Sequence, residues 1–339
     1  MSSYSQTLTS HGDLLANIPG ILGFYPQEAL VLAFFTQDSD TRSLQLGPLT
    51  RLDLDSAIQQ LTEDREKFAA WAEALDLDTV AAYVITDDMV EAGAVTHFLC
   101  SEDSPLHSEV LAVVQVPEIT AGTAWCAMYL HPNSGEPQAG RIGNIHASAA
   151  LQQMLERTGD LPALSREEIE ARLNSTAHGI DAAEHNDIIE DALAYIPPIF
   201  KDVLQREYEQ AAAGITQPST RAVRAALKCF TAPRLRDPLL AALLEEPQAG
   251  LQFAEQVMRA VPTSWPGMRS QLTATVAVLA QATGQTGLAG VAAHRATDIS
   301  SKESFPSLVA KLIDIGEGSR LAETVHEGGM QARVQLFED

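Results

Sequence analysis

Apolar residues in the first part of the chain fall in short runs of strand length, and beyond about residue 143 they fall at helical spacing instead. Leu30 to Phe35 and Ser43 to Leu49, separated by the polar turn Gln37-Asp38-Ser39-Asp40, predict a pair of strands. Ile58, Leu61, Phe68, Ala72 and Leu75 then form one stripe of an amphipathic helix from Asp55 to Leu75, with Glu63, Asp64, Glu66 and Lys67 off it. The continuous run Thr79 to Thr86 has the length of a strand covered on both faces, and Ala121 to Leu130 has a similar pattern. Val110 to Val116 fits strand or helix by pattern alone. Together these segments predict an α/β unit, a mixed sheet with helices, over residues 1–135.

The stretch His131 to Gly143, HPNSGEPQAGRIG, is dense in proline, glycine and polar residues and reads as the loop between two domains. A mainly α-helical domain is expected over residues 136–325, with Ser165-Arg-Glu-Glu168 as a capping box at the start of one helix. Ile188, Ile189, Ala192, Leu193 and Ile196 make an apolar stripe that stops at Pro197-Pro198, and Val203, Leu204 and Tyr208 resume it. Met268 to Ala282, Leu288 to Ala296 and Phe305 to Ile315 predict three further helices. The small residues Ala277, Ala280, Ala289, Ala292, Ala293 and Ala296 suit close, tetratricopeptide-like helix packing, although no 34-residue period repeats. The last residues, 326–339, are polar and read as a loosely held tail.

Near the N-terminus, Pro19-x-x-Leu22-Gly23-Phe24-x-Pro26 runs straight into the first strand. Its turn residues alternate with large apolar ones, which predicts a short helix Leu14 to Ile18 capped by Asp13, a rigid bend, and a buried strand, with Phe24 plugging the core. A ligand-facing loop is the other use of such glycines, but neither G-x-G-x-x-G nor G-x-x-x-x-G-K-[ST] is present.

Charge narrows the range of functions. The formal net charge is -23, from 45 acidic and 22 basic residues, so most of the surface repels nucleic acid phosphates and anionic membranes. The N-terminus lacks a basic segment followed by a long apolar one, and no apolar run approaches the roughly 20 residues of a spanning helix, so a cytoplasmic protein is expected. Cys100, Cys126 and Cys229 are odd in number and widely spaced; they read as reduced, mostly buried thiols, with neither a disulfide framework nor a cysteine zinc site.

Several groups of residues could carry chemistry. Asp87 and Asp88 follow the run Thr79 to Thr86, where open α/β sheets often place functional carboxylates and where helix caps also sit. His178, Asp181, Glu184 and His185 put four side chains of metal-ligand type within eight residues, and His178, Asp181 and His185 would share one face if helical, but Asn174-Ser-Thr and Gly179 favour a loop, and no H-E-x-x-H occurs. No metal or cofactor is therefore expected. No G-x-S-x-G elbow appears either. Against the acidic background stand Arg221, Arg224, Lys228, Arg234 and Arg236, with no acid among them until Asp237. The first three share one side of a helix and could grip phosphates or carboxylates, or pair with the protein's own acids.

The opening motif, the order of elements after it, Leu164-Ser-Arg-Glu-Glu-Ile-Glu-Ala-Arg172, and Thr275-Val-Ala-Val-Leu-Ala-Gln-Ala-Thr-Gly284 leading to Ala293-His-Arg-Ala296 together resemble the actinobacterial family called domain of unknown function 4192. The resemblance spans roughly Leu8 to Asp314. It implies an α/β front half and a helical back half in a soluble bacterial protein of unassigned activity, and it supplies no catalytic residues. Where the family pattern implies a tyrosine- and cysteine-rich stretch ending in paired cysteines, this chain has Trp125-Cys126-Ala-Met-Tyr-Leu-His131 with one cysteine. The expectation is a non-catalytic binding or regulatory module, with a protein partner or a small anionic ligand at the cationic strip. The alternative is a small-molecule enzyme acting on an anionic substrate between the halves, with Asp87 or Asp88 as acid or base and Arg221 or Arg224 holding the anion.

Overall fold

A computed structural model describes residues 10–37, 44–66, 68, 78–106, 109–132, 134–174, 187, 201–231, 233–261 and 263–337. The chain divides into two compact units, Met1–Arg166 and Glu167–Asp339.

The first unit is built on a six-stranded sheet of order β2-β1-β3-β4-β5-β6, with β1 Ala29–Gln37, β2 Leu44–Asp53, β3 Thr79–Ile85, β4 Val110–Val116, β5 Ala124–Leu130 and β6 Ala139–Arg141. Only β3 and β4 pair in parallel, so the chain must cross over between them, and it does so through helix α3, Met89–Leu99. The uninterrupted apolar run of β3 follows from cover on both faces. Ala81, Tyr83 and Ile85 point to the side packed by α1, His11–Leu22, and α4, Ala149–Thr158. Val80, Ala82 and Val84 point to the side packed by α2, Ala57–Glu63, and α3. Pairing with β3 settles the Val110 to Val116 segment as a strand. Of the amphipathic stretch Asp55 to Leu75, α2 covers the first part, while residues 67 and 69–77 lie outside the described residues, as does the turn at 38–43.

Helix α1 differs from the short helix expected. Ser10, not Asp13, is its N-cap, and the Ser10 hydroxyl accepts from the Asp13 amide while donating to the Asp13 carboxylate. The helix also runs through Pro19 to Leu22. Proline forfeits one backbone hydrogen bond, and burial of Leu14, Leu15, Ile18 and Pro19 against the sheet offsets that loss. The bend itself is Gly23, at φ 76°, whose N–H donates to the Pro19 carbonyl. Phe24 behind it is buried and forms a parallel bridge with Ala163. At Gly20 the crossing with α4 is so close that a Cβ would lie 2.4 Å from the Leu151 nitrogen.

The segment read as an interdomain loop, His131 to Gly143, contains β6, whose three residues pair with β5. With α4 packed on α1, the sheet unit continues to Arg166 rather than ending at residue 135. A strand this short in a glycine-rich stretch leaves no periodic signal, so pattern alone reads it as loop.

The second unit is helical: α5 Arg166–Asn174, α6 Lys201–Ala213, α7 Thr220–Thr231, α8 Pro233–Glu245, α9 Pro247–Arg259, α10 Pro266–Ala282, α11 Thr286–Ile299, α12 Ser304–Asp314 and α13 Gly318–Phe337. Helix α5 starts directly after Ser165, where the capping box places it. Helices α10 and α11 run antiparallel: Gln285 at the turn donates to the Ala280 carbonyl, and Ser270 near the start of α10 donates to the Ala296 carbonyl near the end of α11. Ala277, Ala280, Ala289, Ala292, Ala293 and Ala296 are all buried, as the small-residue pattern requires. The stripe Ile188 to Ile196 with Pro197-Pro198 lies outside the described residues.

The C-terminal segment is not a loose tail. It belongs to α13, which packs on α8: a Cβ at Gly329 would meet the Asp237 carbonyl at 2.4 Å, Arg333 pairs with Glu245, and Phe337 stacks at 5.0 Å on Tyr208. Gly329 lets the backbones approach there, and with Gly328 beside it the helix-propensity cost hides the helix from a pattern reading.

Candidate functional site

At the C-terminal end of β3 a polar network crosses four neighbouring strands. The buried Thr86 hydroxyl donates to Glu28 Oε2 at 2.8 Å and accepts from the Asp88 amide at 3.1 Å. The Gln115 side chain donates to the Thr86 carbonyl at 2.6 Å, and the Cys126 thiol lies 3.6 Å from Gln115 Oε1. Asp88 is the N-cap of α3: its Oδ1 accepts from the Val90 and Glu91 amides at 2.8 and 3.1 Å. Asp87 is exposed beside it. Partial desolvation, and then the carboxylates of Asp88, Glu28 and Asp55, hold the Glu91 carboxyl above its usual range. This end of the sheet therefore concentrates negative charge and repels an anion.

The cationic strip is divided by its surroundings. Helix α7 buries Ala222, Val223, Ala226, Leu227 and Phe230 and leaves Arg221, Arg224 and Lys228 on the opposite side. Lys228 reaches Glu207 of α6 at 3.6 Å, and Arg236 pairs with Asp237 at 2.8 Å and lies over the Phe305 ring. Arg221 and Arg234 are exposed and Arg224 is half-buried, and none of the three has a carboxylate partner among the described residues. Elsewhere Arg51, Arg172, Arg259, Arg320 and Arg333 all have one.

Two buried groups escaped the sequence reading. On the α1 face of the sheet His11 Nδ1 lies 2.9 Å from the Tyr83 hydroxyl, and the His11 ring meets Trp125 edge-on at 5.5 Å. Burial lowers the His11 pKa, partly opposed by Glu136, and burial together with Glu136 raises that of Tyr83. The pair is thus a neutral imidazole and a protonated phenol sharing one hydrogen bond. The partners of His11 stand far off in the chain, where no local pattern links them.

The second group is in the helical unit. Glu255, 5% exposed, receives Arg172 at 2.6 Å and Arg259 at 3.1 Å. Arg269, 6% exposed, donates to the Val261 carbonyl at 2.9 Å, and Arg295 donates to Asn174 Oδ1 at 3.1 Å. The spacing of Glu255 and Arg259 at i and i+4 was a visible signal. The other three arginines join only through packing.

His178, Asp181, Glu184 and His185 lie outside the described residues. Among the described residues no three of His, Cys, Asp and Glu come together to hold a metal ion, and no helix is long and apolar enough to cross a membrane. Of the cysteines only Cys229 is buried, with its thiol pKa raised by desolvation; Cys126 is intermediate and Cys100 exposed, so burial of the thiols is less general than expected.

The architecture defines a two-unit protein with a mixed α/β sheet followed by packed helices. The chain belongs to the family described as Domain of unknown function (DUF4192), whose model matches residues 12–317. Comparison with curated proteins and with solved structures gives no match.

Proposed function

We propose that the protein is a non-catalytic binding or regulatory module whose helical unit presents the outer side of α7 to an acidic protein partner. The observation that carries this reading is the unpaired state of Arg221, Arg224 and Arg234, among the described residues, in a chain of net charge -23. Where a carboxylate-rich surface leaves cations without an internal partner, attraction for an acidic surface accumulates. The enzymatic alternative draws less support. The Asp88 carboxylate is occupied in capping α3, and Glu28, Asp55 and Glu91 around it oppose an anionic substrate.

Fluorescence anisotropy with a labelled glutamate-rich peptide, compared with a neutral peptide of equal length, tests the proposal. Binding of the acidic peptide alone, weakening as salt rises and lost in the Arg221→Glu/Arg224→Glu double variant, is expected. Equal binding by the double variant sinks the reading.

A further inference from the structure

The group around Glu255 has more positive charge than its own carboxylate can neutralise. Four arginines stand at neighbouring helix ends: Arg172 at the end of α5 and Arg259 at the end of α9 meet on Glu255, Arg269 in the first turn of α10 bonds the Val261 carbonyl two residues past Arg259, and Arg295 near the end of α11 bonds Asn174 two residues past Arg172. These ends meet because successive helices reverse direction, as the Ser270 to Ala296 bond shows. Against the four stands Glu255, and no other carboxylate pairs with any of them among the described residues. Glu303 is engaged by the Gln271 side chain at 3.0 Å. Asp298, one turn beyond Arg295, is exposed.

The hydrogen-bonding account is equally incomplete. The Nε atoms of Arg259 and Arg295 are buried and have no partner. Burial, and then the positive charge of Arg295, hold the Arg269 pKa below its usual range. Buried guanidinium N–H groups without acceptors are costly, and a group that relieves the cost is a compact anion with several oxygens. Guanidinium forks match phosphate oxygens in pairs, which a halide cannot do.

From this juxtaposition we infer that Arg172, Arg259, Arg269 and Arg295 form a binding site for a dianionic phosphate group, free or as a monoester of a small molecule. Glu255 sets its affinity by holding Arg172 and Arg259 in place and by cancelling part of their charge. The site is separate from the α7 surface and depends on different residues.

Calorimetric titration of the full chain with inorganic phosphate, and in parallel with glycerol phosphate, tests it, at an ionic strength held constant with chloride. Saturable binding at one site per chain is expected for one or both, with a rise in Tm. Tighter binding of the ester assigns the phosphate to a larger metabolite. The Arg259→Gln/Arg295→Gln double variant should weaken binding at least tenfold. If that variant does not fold, Arg172→Gln, at the half-exposed edge of the group, should weaken it several-fold. The Arg221→Glu/Arg224→Glu variant should bind phosphate like the parent, so that failure of the α7 reading and failure of this one remain distinguishable. No heat beyond the chloride control for either probe, or binding unchanged in the arginine to glutamine variants, overturns the inference.

Discussion

The two units bury polarity in opposite ways. In the sheet unit the buried polar side chains are His11, Asn17, Thr86, Ser104, Gln115 and Ser148, and none of them is charged once His11 is kept neutral by burial. In the helical unit the buried set includes Glu255 and Arg269. Strand and helix ends in the first unit offer free backbone groups, and its buried side chains use them: Gln115 donates to the Thr86 carbonyl and Asn17 accepts from the Ala150 amide. Within helices the backbone is already satisfied. Thr273 and Thr275 bond back to the Arg269 and Gln271 carbonyls of their own helix. A larger polar group between helices needs a partner at a helix end: Glu255 takes the side chains of Arg172 and Arg259, and Arg269 takes the Val261 carbonyl.

The largest effect should come from breaking the ionic set. Glu255→Gln leaves Arg172 and Arg259 without their carboxylate, and urea unfolding in phosphate-free buffer should show a loss of about 3 kcal/mol. A loss below about 1 kcal/mol would mean that the helical core tolerates unpaired charge and that the contrast between the units is only one of composition.

Next is the bend of the sheet unit. Gly23→Val puts a β-branched residue at φ 76°, and should cost about 2 kcal/mol through backbone strain. An unchanged thermal midpoint would show that the bend can be rebuilt without a left-handed residue.

The neutral pair is the following test. Tyr83→Phe removes the hydroxyl that bonds His11 Nδ1 in a buried site and should cost about 1 to 2 kcal/mol. The same pair makes a pH prediction. Because the folded His11 pKa lies below the ordinary 6.5, the unfolded chain takes up a proton on acidification that the folded chain refuses. Its contribution to stability is therefore full above about pH 6.5 and falls as the pH drops below it. Between about pH 6.5 and the onset of carboxylate titration near 4.5, His11→Gln should flatten the slope of stability against pH. A slope unchanged by that substitution would remove the neutral-histidine assignment.

The smallest effect on folding belongs to the α7 cations. Charge reversal at Arg221 and Arg224 should alter stability by no more than about 0.5 kcal/mol, since neither has an internal partner to lose. Differential scanning calorimetry checks this; unfolding of the variant would place the row among the structural ion pairs.

Much of the fold can be read from local pattern. The run Thr79 to Thr86 is a strand covered on both faces, the polar side of α7 stands out by its arginines, and the small residues of α10 and α11 mark a close crossing. What escaped has specific causes. Ser10 and Asp13 are both good caps, and only the fit of His11 beneath Tyr83 is consistent with a start at the earlier one. Strand β6 is three residues long and exists because β5 has an edge to pair. Of the candidate groups, the α7 row was visible because its members share one helix, while the arginines around Glu255 are spread from residue 172 to 295 and share nothing local.

The sequence by itself therefore determined the class of each half, the acidic character, the bend at Gly23 and the one contiguous cationic stretch. These depend on periodicity and composition, which act over a few residues. The tertiary structure alone decided the partners of buried polar groups: Tyr83 for His11, Gln115 for Thr86, and Arg172 for Glu255. A buried donor or charge must find its complement in space, and the residue that meets it is chosen by how whole elements pack rather than by what stands next to it in the chain.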